Sequence, residues 1–595
     1  MAENRRPPYR GSTRKLIVSI DVGTTYTATS FCLLQPGNVP KFEEILRWPK
    51  QATPDAKVPS VLYYDKQGKA MAFGAETEDE DIIMEGEEHG WVKVEWWKLR
   101  LRPQHLPIIR NLDLPSIPNN VTVDKIFADY LRYIKEQVKA YISSTYGSGG
   151  DIWDTLSPTM YVILTTPNGW EGTQQNRMRQ AAIAAGLVDS DGGRRVRFVT
   201  EAEAAVLYAA DSGNVEDWLV KDSHLILCDC GGGTVDITGY QIISVKPALK
   251  LEESAASRCA PQKPSSGASE RDGHFYASAH FYLERLHGTE WDDEERMEKI
   301  VYHFDRNAKK KFAEADTVCY VQLDSHKTIP ELGITRGRLK ITGWAIIVLR
   351  EIKQGLDIAF ENGGRLADKV ILVGGLASSP YVYSKLVDWG NEIGVSVTRP
   401  DGPTVKAVAN GALAWHLDSS VGSRIAKYHY GISCRIPYDH HNPEHQERAS
   451  KKFLGLDGLW YLDEAWAGVV NKNDKLKASQ EFRRNFSLQM GADTTNFEYR
   501  QKVYAYRRLT PPTFLHFPGN GKKTLIPGFD VICYVQGDLR KCFQAAPFTV
   551  APSGVPLKKI KFVVCLALGE TEITARLRWV EDDEEVYGPA TIAYD

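Results

Sequence analysis

Two short segments of the 595-residue chain combine an acid, glycines and hydroxyls at the end of an apolar run: DVGTTYT over 21–27 and DCGGGTVD over 229–236. Gly23 permits a tight turn, and successive backbone N–H groups with the Thr24 and Thr25 hydroxyls can donate to phosphate oxygens. Asp21, closing a buried-type strand, suits the water shell of Mg²⁺, an ion that keeps several waters and takes one or two carboxylates. In the second segment Gly231, Gly232 and Gly233 bring bare backbone to another side of the phosphates. Asp229 is a second metal-shell candidate, and Asp236 a group to orient a water. Either segment alone also reads as an ordinary tight turn with its turn aspartate. Together with a third glycine turn, VGG at 373–375, they favour a phosphate site. No G-x-x-x-x-G-K-[ST] occurs, and these glycines lead into strands rather than a helix. A P-loop and a dinucleotide fingerprint are therefore excluded.

The elements around these turns must hold them in place. LIVSIDVG and TATSFCLL are β-rich runs on either side of the first turn, so the unit is strand, hairpin turn, strand. LILCDCGGGTVDITGYQII, within 225–243, repeats that unusual element and predicts a duplicated domain. Apolar residues at helical spacing predict a helix over 122–145, and YVILTTP (161–167) a buried strand. Alanine-rich helices are expected over 174–185 and 201–210. KVILVGGLASSP (369–380) reads as a strand, a glycine turn and a proline opening the next helix, and 405–417 as a closing helix. Residues 1–14, with Pro7 and Pro8 and no hydrophobic period, are expected to be a mobile basic tail. A Ser/Pro/Gly-rich loop spans 254–273. From about residue 425 short aromatic and β-branched runs between turns replace helical periodicity, which predicts a β-rich, sandwich-like domain over 425–595.

Composition sets outer bounds. Hydrophobic residues are 43% and charged residues 25%, ordinary for a folded chain of several domains. A net charge of −3 offers no global field for nucleic acid or acidic lipid, so neither is expected as a partner. No run reaches the roughly 18 apolar residues of a membrane span. Nine cysteines without a C-x-x-C pair argue for reduced thiols and a cytoplasmic setting.

Asp21–Thr27, Asp229–Asp236 and Val373–Pro380 resemble the first phosphate, second phosphate and adenosine motifs of the actin-like ATPase superfamily. GTTY and GGGTVD are most similar to the seventy-kilodalton heat-shock chaperones, and the pattern including SRIAKYHYGI (423–432) resembles a divergent branch of that family. The resemblance implies an α/β fold: a duplicated actin-like ATPase domain over 15–424, two lobes around a nucleotide cleft. It implies ATP or ADP with Mg²⁺ as ligands, with Asp21 and Asp229 holding the metal's waters. Gly23, Thr24, Thr25, Tyr26, Gly231, Gly232, Gly233 and Thr234 would line the phosphates. Lys98 (in VEWWKLRL) falls where the family keeps its catalytic lysine. Glu201, Thr234 and Asp236 would help orient the attacking water. On residue type alone, Lys98 reads equally as a surface lysine after two tryptophans. Lys309 and Lys310 match the helix that packs on adenine and ribose, and also read as a solvated basic helix end.

The adenosine motif departs from the family's pattern. It reads G-G-L-A-S-S-P, so that Gly374 and Gly375 are kept while Leu376 and Ser378 replace the serine and arginine that meet the base; Ala313 replaces another serine. Adenine contact is weakened more than phosphate chemistry. The segments 551–580 and 486–506 are similar to the chaperones' substrate domain, the latter as a strand pair. No helical lid is expected after residue 580, and Ser419, Ser420, Gly422 and Ser423 stand in for the usual leucine-rich linker. The implied function is slow ATP hydrolysis coupled to a protein client or partner, with co-chaperones or exchange factors. A non-hydrolysing nucleotide-gated scaffold and a small-metabolite kinase of the same superfamily are the alternatives.

Overall fold

The computed structural model describes the chain apart from residues 1–5, 104–113, 169, 171, 212–218, 231–234, 246–248, 261–285, 287, 293–295, 297–299, 301–317, 324, 342–351, 354–355, 358–359, 361–366, 375–376, 378, 400–406, 419–420, 456–457, 478–479, 492, 519–523, 551–553, 555, 569–571, 582–583 and 594–595. It divides into two compact units, Met1–Trp170 with Arg177–Val421, and Glu171–Asn176 with Gly422–Asp595.

Two mixed sheets of the same connectivity dominate the first unit, which also holds two three-stranded antiparallel sheets. In the first, β1 (Lys15–Val22) pairs antiparallel with β2 (Tyr26–Leu34), and β2 with both β3 (Phe42–Glu44) and β4 (Lys57–Pro59). On its other edge β1 runs parallel to β5 (Tyr161–Thr166), and β5 to β6 (Val196–Thr200). In the second, β7 (His224–Cys230) pairs antiparallel with β8 (Val235–Ser244), and β8 with β9 (Lys250–Ala260). β7 then runs parallel to β10 (Lys369–Val373), and β10 to β11 (Ser396–Thr398). Each sheet is a hairpin meander followed by two right-edge parallel strands, so the repeated hairpin seen in the sequence is one corner of a repeated fold.

Alternation along the strands decides which side chains meet which helix. Leu16, Val18, Ile20 and Val22 pack with α1 (Val123–Thr145) through Ile126, Tyr130, Ile134 and Val138, a stripe at helical spacing. Thr122 caps α1, its side chain accepting the Lys125 N–H. The opposite face of β1 packs on α4 (Ala407–Asp418): Ile17 shares a core with Ala412 and Leu413, and the Ser19 hydroxyl donates to the Ala409 carbonyl at 2.7 Å. On β7, Leu225 and Leu227 pack with α2 (Glu201–Asp211), and on β10 Val370 and Leu372 pack with α3 (Pro380–Ile393). Thus α2 follows the first sheet in sequence yet covers the second, while α4 follows the second and covers the first. These two alanine-rich helices cross closely. A Cβ at Gly411 would lie 1.7 Å from the Ala204 carbonyl oxygen, so only glycine allows this approach.

From Arg6 onward, the segment expected to be a mobile tail is tied down. The Arg6 guanidinium bonds Asp418 and Asp211, the last residues of α4 and α2, at 2.7 and 2.8 Å and lies over the Phe42 ring. Two charge-assisted bonds from one planar guanidinium outweigh the absence of local hydrophobic pattern.

The second unit carries one antiparallel sheet of ten strands. Its strands β12 (Glu481–Gly491) and β13 (Glu498–Tyr506) follow each other but do not pair; β12 pairs with β14 (Pro556–Ala567) instead. The two face each other across the core, where Tyr499 meets Phe562 edge-on at 4.9 Å and Phe486 at 6.0 Å. Burying three rings in one core favours this arrangement over the strand pair expected from 486–506. Among the described residues, no helix is long and apolar enough to cross a membrane.

Candidate functional site

The odd-numbered face of β1 grades from apolar to acidic: Ile17, Ser19, then Asp21 at the strand's end, 9% exposed. Thr165, at the parallel position of β5, donates its hydroxyl to Asp21 Oδ1 at 2.7 Å. Beyond Asp21 the chain turns within three residues. Gly23 N–H donates to the Tyr26 carbonyl at 3.1 Å, and a Cβ there would lie 2.3 Å from that oxygen, so glycine is required. Thr24 and Thr25 are half-buried in the turn and Tyr26 is exposed. The Thr25 carbonyl accepts the Ser60 N–H, which fastens the hairpin to the β4 edge.

β7 repeats this gradation with Leu225, Leu227 and Asp229, the last 8% exposed. Asp229 lies opposite Asp236 across the hairpin and beside Val373 of β10. Gly374, at φ 88°, closes the third turn on the carboxylate: a Cβ would stand 2.5 Å from Asp229 Oδ1 and 2.4 Å from the Cys230 carbonyl oxygen. The two acids therefore occupy equivalent places, each on the sheet face covered by one of the crossing helices. Gly231, Gly232, Gly233, Thr234, Lys309, Lys310, Ala313, Gly375, Leu376 and Ser378 lie outside the described residues, as does the side chain of Asp236.

Lys98 is not a surface lysine. The chain enters its short helix, Trp97–Leu101, through Trp96 at φ 50°, and Trp97 is fully buried. The indole of Trp97 donates to the Ser60 carbonyl at 2.9 Å and meets Phe127 edge-on. That anchor turns Lys98 inward. Its ammonium, 3% exposed as a residue, donates to Glu201 Oε1 at 2.8 Å and sits 5.5 Å from the Trp170 ring centre. Glu201 opens α2 directly after β6. Burial pushes its carboxyl above the usual range; Lys98 opposes that shift, and the charge of Asp21 adds to it. Asp21, Glu201 and Lys98 are thus one electrostatic group.

Sequence reasoning missed two members of this region. Thr165 holds Asp21. Asn168, 2% exposed, donates from Nδ2 to the Thr238 hydroxyl of β8 at 3.0 Å, linking the two sheets. Both stand in TTPN at the end of β5, where consecutive polar residues closing a buried strand were the available signal. Among the described residues, Thr166 Oγ1 and Asn168 Oδ1 are buried without a partner. Also among the described residues, no three His, Cys, Asp or Glu converge as a direct metal cage. Separate buried carboxylates with orphaned oxygens nearby fit an ion held through its waters, as Mg²⁺ commonly is.

No family model matches the chain. Heat shock 70 kDa protein 12A of Mus musculus is 25% identical over 281 aligned positions, 38% of this chain and 40% of the relative. Heat shock 70 kDa protein 12B of Homo sapiens is 22% identical over 296 positions, 40% of this chain and 41% of the relative. The chain therefore spans about two fifths of the length of the curated relatives it matches. Duplicated mixed sheets with a buried aspartate at each glycine hairpin agree with that similarity, which is to the divergent branch of the seventy-kilodalton heat-shock proteins within the actin-like ATPases.

Proposed function

We propose that the protein binds ATP between its two sheets and hydrolyses it slowly with Mg²⁺, and that residues 422–595 bind a protein client or partner. The observation that carries this reading is the equivalence of Asp21 and Asp229: two buried carboxylates at matching strand ends, each beside a glycine turn. The similarity to heat-shock 70 kDa proteins supports the nucleotide.

In this reading the two lobes are the two sheets with their helices, and the first hairpin donates backbone N–H groups and the Thr24 and Thr25 hydroxyls to the phosphates. Asp21 and Asp229 would hold the water shell of Mg²⁺, and the Thr165 hydroxyl, donating to Asp21, would fix that carboxylate for the task. The ion would supply neutralisation of phosphate charge. Phosphoryl transfer asks mainly for positioning and charge stabilisation. Lys98, held by Glu201, offsets the charge that develops on the terminal phosphate. Glu201, its carboxyl raised by burial, is placed to accept a hydrogen bond from an attacking water, with Thr234 and Asp236 as further orienting groups.

The test is calorimetry of ATP binding with and without Mg²⁺, followed by single-turnover hydrolysis. Metal-dependent binding is expected, weakened in Asp229→Asn with the circular dichroism spectrum unchanged. Lys98→Ala should lose roughly 10²–10³-fold in single-turnover rate, the scale of one preorganised donor. Equal affinity with and without Mg²⁺ would overturn the reading. Turnover that appears only with added sugars would establish the small-metabolite kinase instead, and binding without turnover the scaffold.

A further inference from the structure

One lysine of the first sheet stands on the acidic face with no ion-pair partner among the described residues. The register places Asp21 opposite Ala28 of β2, and Ala28 opposite Lys57 of β4. Directly opposed residues of antiparallel strands project to the same face. Lys57 therefore shares the face of Ile17, Ser19 and Asp21, while its neighbour Val58 joins Val22 in the core on the other side. Two strand spacings put the Lys57 Cα roughly 9–10 Å from that of Asp21. Between them Ala28, itself buried, presents only a methyl group.

The stem starts from a fixed backbone. Lys57 N–H donates to Asp55 Oδ1 at 3.0 Å, and its carbonyl accepts from Gln51 Nε2 at 3.1 Å. The residue is half-buried, and among the described residues its ammonium has no hydrogen-bond or ion-pair partner. Its positive charge reaches Glu201, where it opposes the effect of burial on that carboxyl. Glu201 is already occupied by Lys98 at 2.8 Å. An ammonium on a fixed backbone, half-buried and on the face that carries Asp21, is placed to take an anion.

Building on the ATP-binding reading, we infer that Lys57 is a second lysine of the phosphate site, and that its ligand is the terminal phosphate of a nucleoside triphosphate. It sits at the outer edge of the first hairpin, beyond Asp21 as seen from β5. Lys98 reaches the same region through Glu201, at the end of β6. Two ammonium groups at one terminal phosphate discriminate triphosphate from diphosphate, because the γ-phosphate carries the charge that ADP lacks. Lys57 is thus a specificity-determining residue.

Calorimetry of the full chain with Mg²⁺ tests this, using a non-hydrolysable β,γ-imido ATP analogue and ADP as probes. Lys57→Met should lose at least tenfold in affinity for the triphosphate analogue and less than twofold for ADP. Lys57→Arg should stay within about threefold of wild type for both, and the ligand-free melting temperature of each variant should be unchanged. Unchanged triphosphate affinity in Lys57→Met overturns the inference, as does an equal loss for both nucleotides. If the wild-type chain binds neither nucleotide, the ATP reading itself falls and Lys57 with it. Wild-type binding with an indifferent Lys57→Met removes only the role of Lys57.

Discussion

Removing the ammonium of Lys98 tests the electrostatics of the site independently of any nucleotide. Lys98→Met keeps the length of the stem and deletes the charge that Glu201 accepts at 2.8 Å. Breaking a buried ion pair by removing one partner costs about 3–5 kcal/mol, since the remaining charge is left uncompensated. Glu201 retains some access to solvent, so the lower end, about 3 kcal/mol, is appropriate. The unit that holds the pair has about 415 residues. At about 2.1 cal/mol/K per residue, 3 kcal/mol corresponds to a fall of about 3–4 °C in melting temperature.

The loss must depend on pH, in a direction the pair dictates. Burial and Asp21 already hold the Glu201 carboxyl above its ordinary value, and deleting Lys98 removes the opposing charge and raises it further. A carboxyl raised in the folded state binds its proton more tightly there than in the unfolded chain. Stability therefore falls as pH rises from the unfolded value, near 4.5, through the raised folded value. The Lys98→Met penalty should be smaller at pH 5 than at pH 8, because the raised Glu201 carboxyl is protonated to a greater extent at the lower pH. Lys98→Met/Glu201→Gln should recover most of the loss at pH 8, because an amide needs no counter-charge. Differential scanning fluorimetry at both pH values reads all three chains. A penalty equal at pH 5 and pH 8, or no recovery in the double variant, would refute the reasoning.

Two further outcomes follow from packing and burial. Gly411→Ala would drive a methyl to within 1.7 Å of the Ala204 carbonyl, so α2 and α4 must separate; a loss of about 2–3 kcal/mol or more is expected, read as a lower melting temperature in fluorimetry. His416, on α4, is held neutral by burial and by the charges of Arg197 and Lys15, which lower its pKa to about 4. The unfolded chain thus binds the extra proton between pH 6.5 and pH 4, and the fold should lose about 2 kcal/mol as pH falls through that window. His416→Gln should flatten this slope in melts taken from pH 7 to pH 4, and an unchanged slope would assign the acid sensitivity elsewhere.

The sequence made the hairpins legible because turn chemistry is local: Gly23 must bond Tyr26 across three residues, and nothing distant alters that need. Helix α1 was legible for the same reason, its cap and stripe lying within one segment. The Lys98–Glu201 pair was half legible. Its residue types were visible, but the burial of Lys98 comes from Trp97 reaching Ser60 and Phe127, contacts with sequence separations that no pattern encodes. Thr165, Asn168 and Lys57 went unread because their significance is a matter of register. Thr165 matters through its place beside Asp21 on a parallel strand, and Lys57 through two successive cross-strand pairings. The facing of β12 and β13 was likewise misread as pairing, since adjacency in the chain says nothing about which side of a core a strand takes.

The exchange of helices between the sheets links these local features into one device. Asp21 lies on a face covered by α4, which belongs by sequence to the second sheet, and Asp229 on a face covered by α2, which belongs to the first. Glu201 opens α2, so the group that holds Lys98 rides on the same helix that packs beneath Asp229. Any displacement of one sheet relative to the other must carry a helix across with it and alter the setting of both acids. Gly411 keeps the crossing tight, and Arg6 binds the far ends of the same two helices through Asp211 and Asp418. Asn168 ties β5 to β8 at the site's own end. Close-packed contacts of this kind have discrete arrangements rather than continuous ones. In the proposed ATP reading, a change in the charge held between Asp21 and Asp229 would act on a crossing that is fastened at both ends.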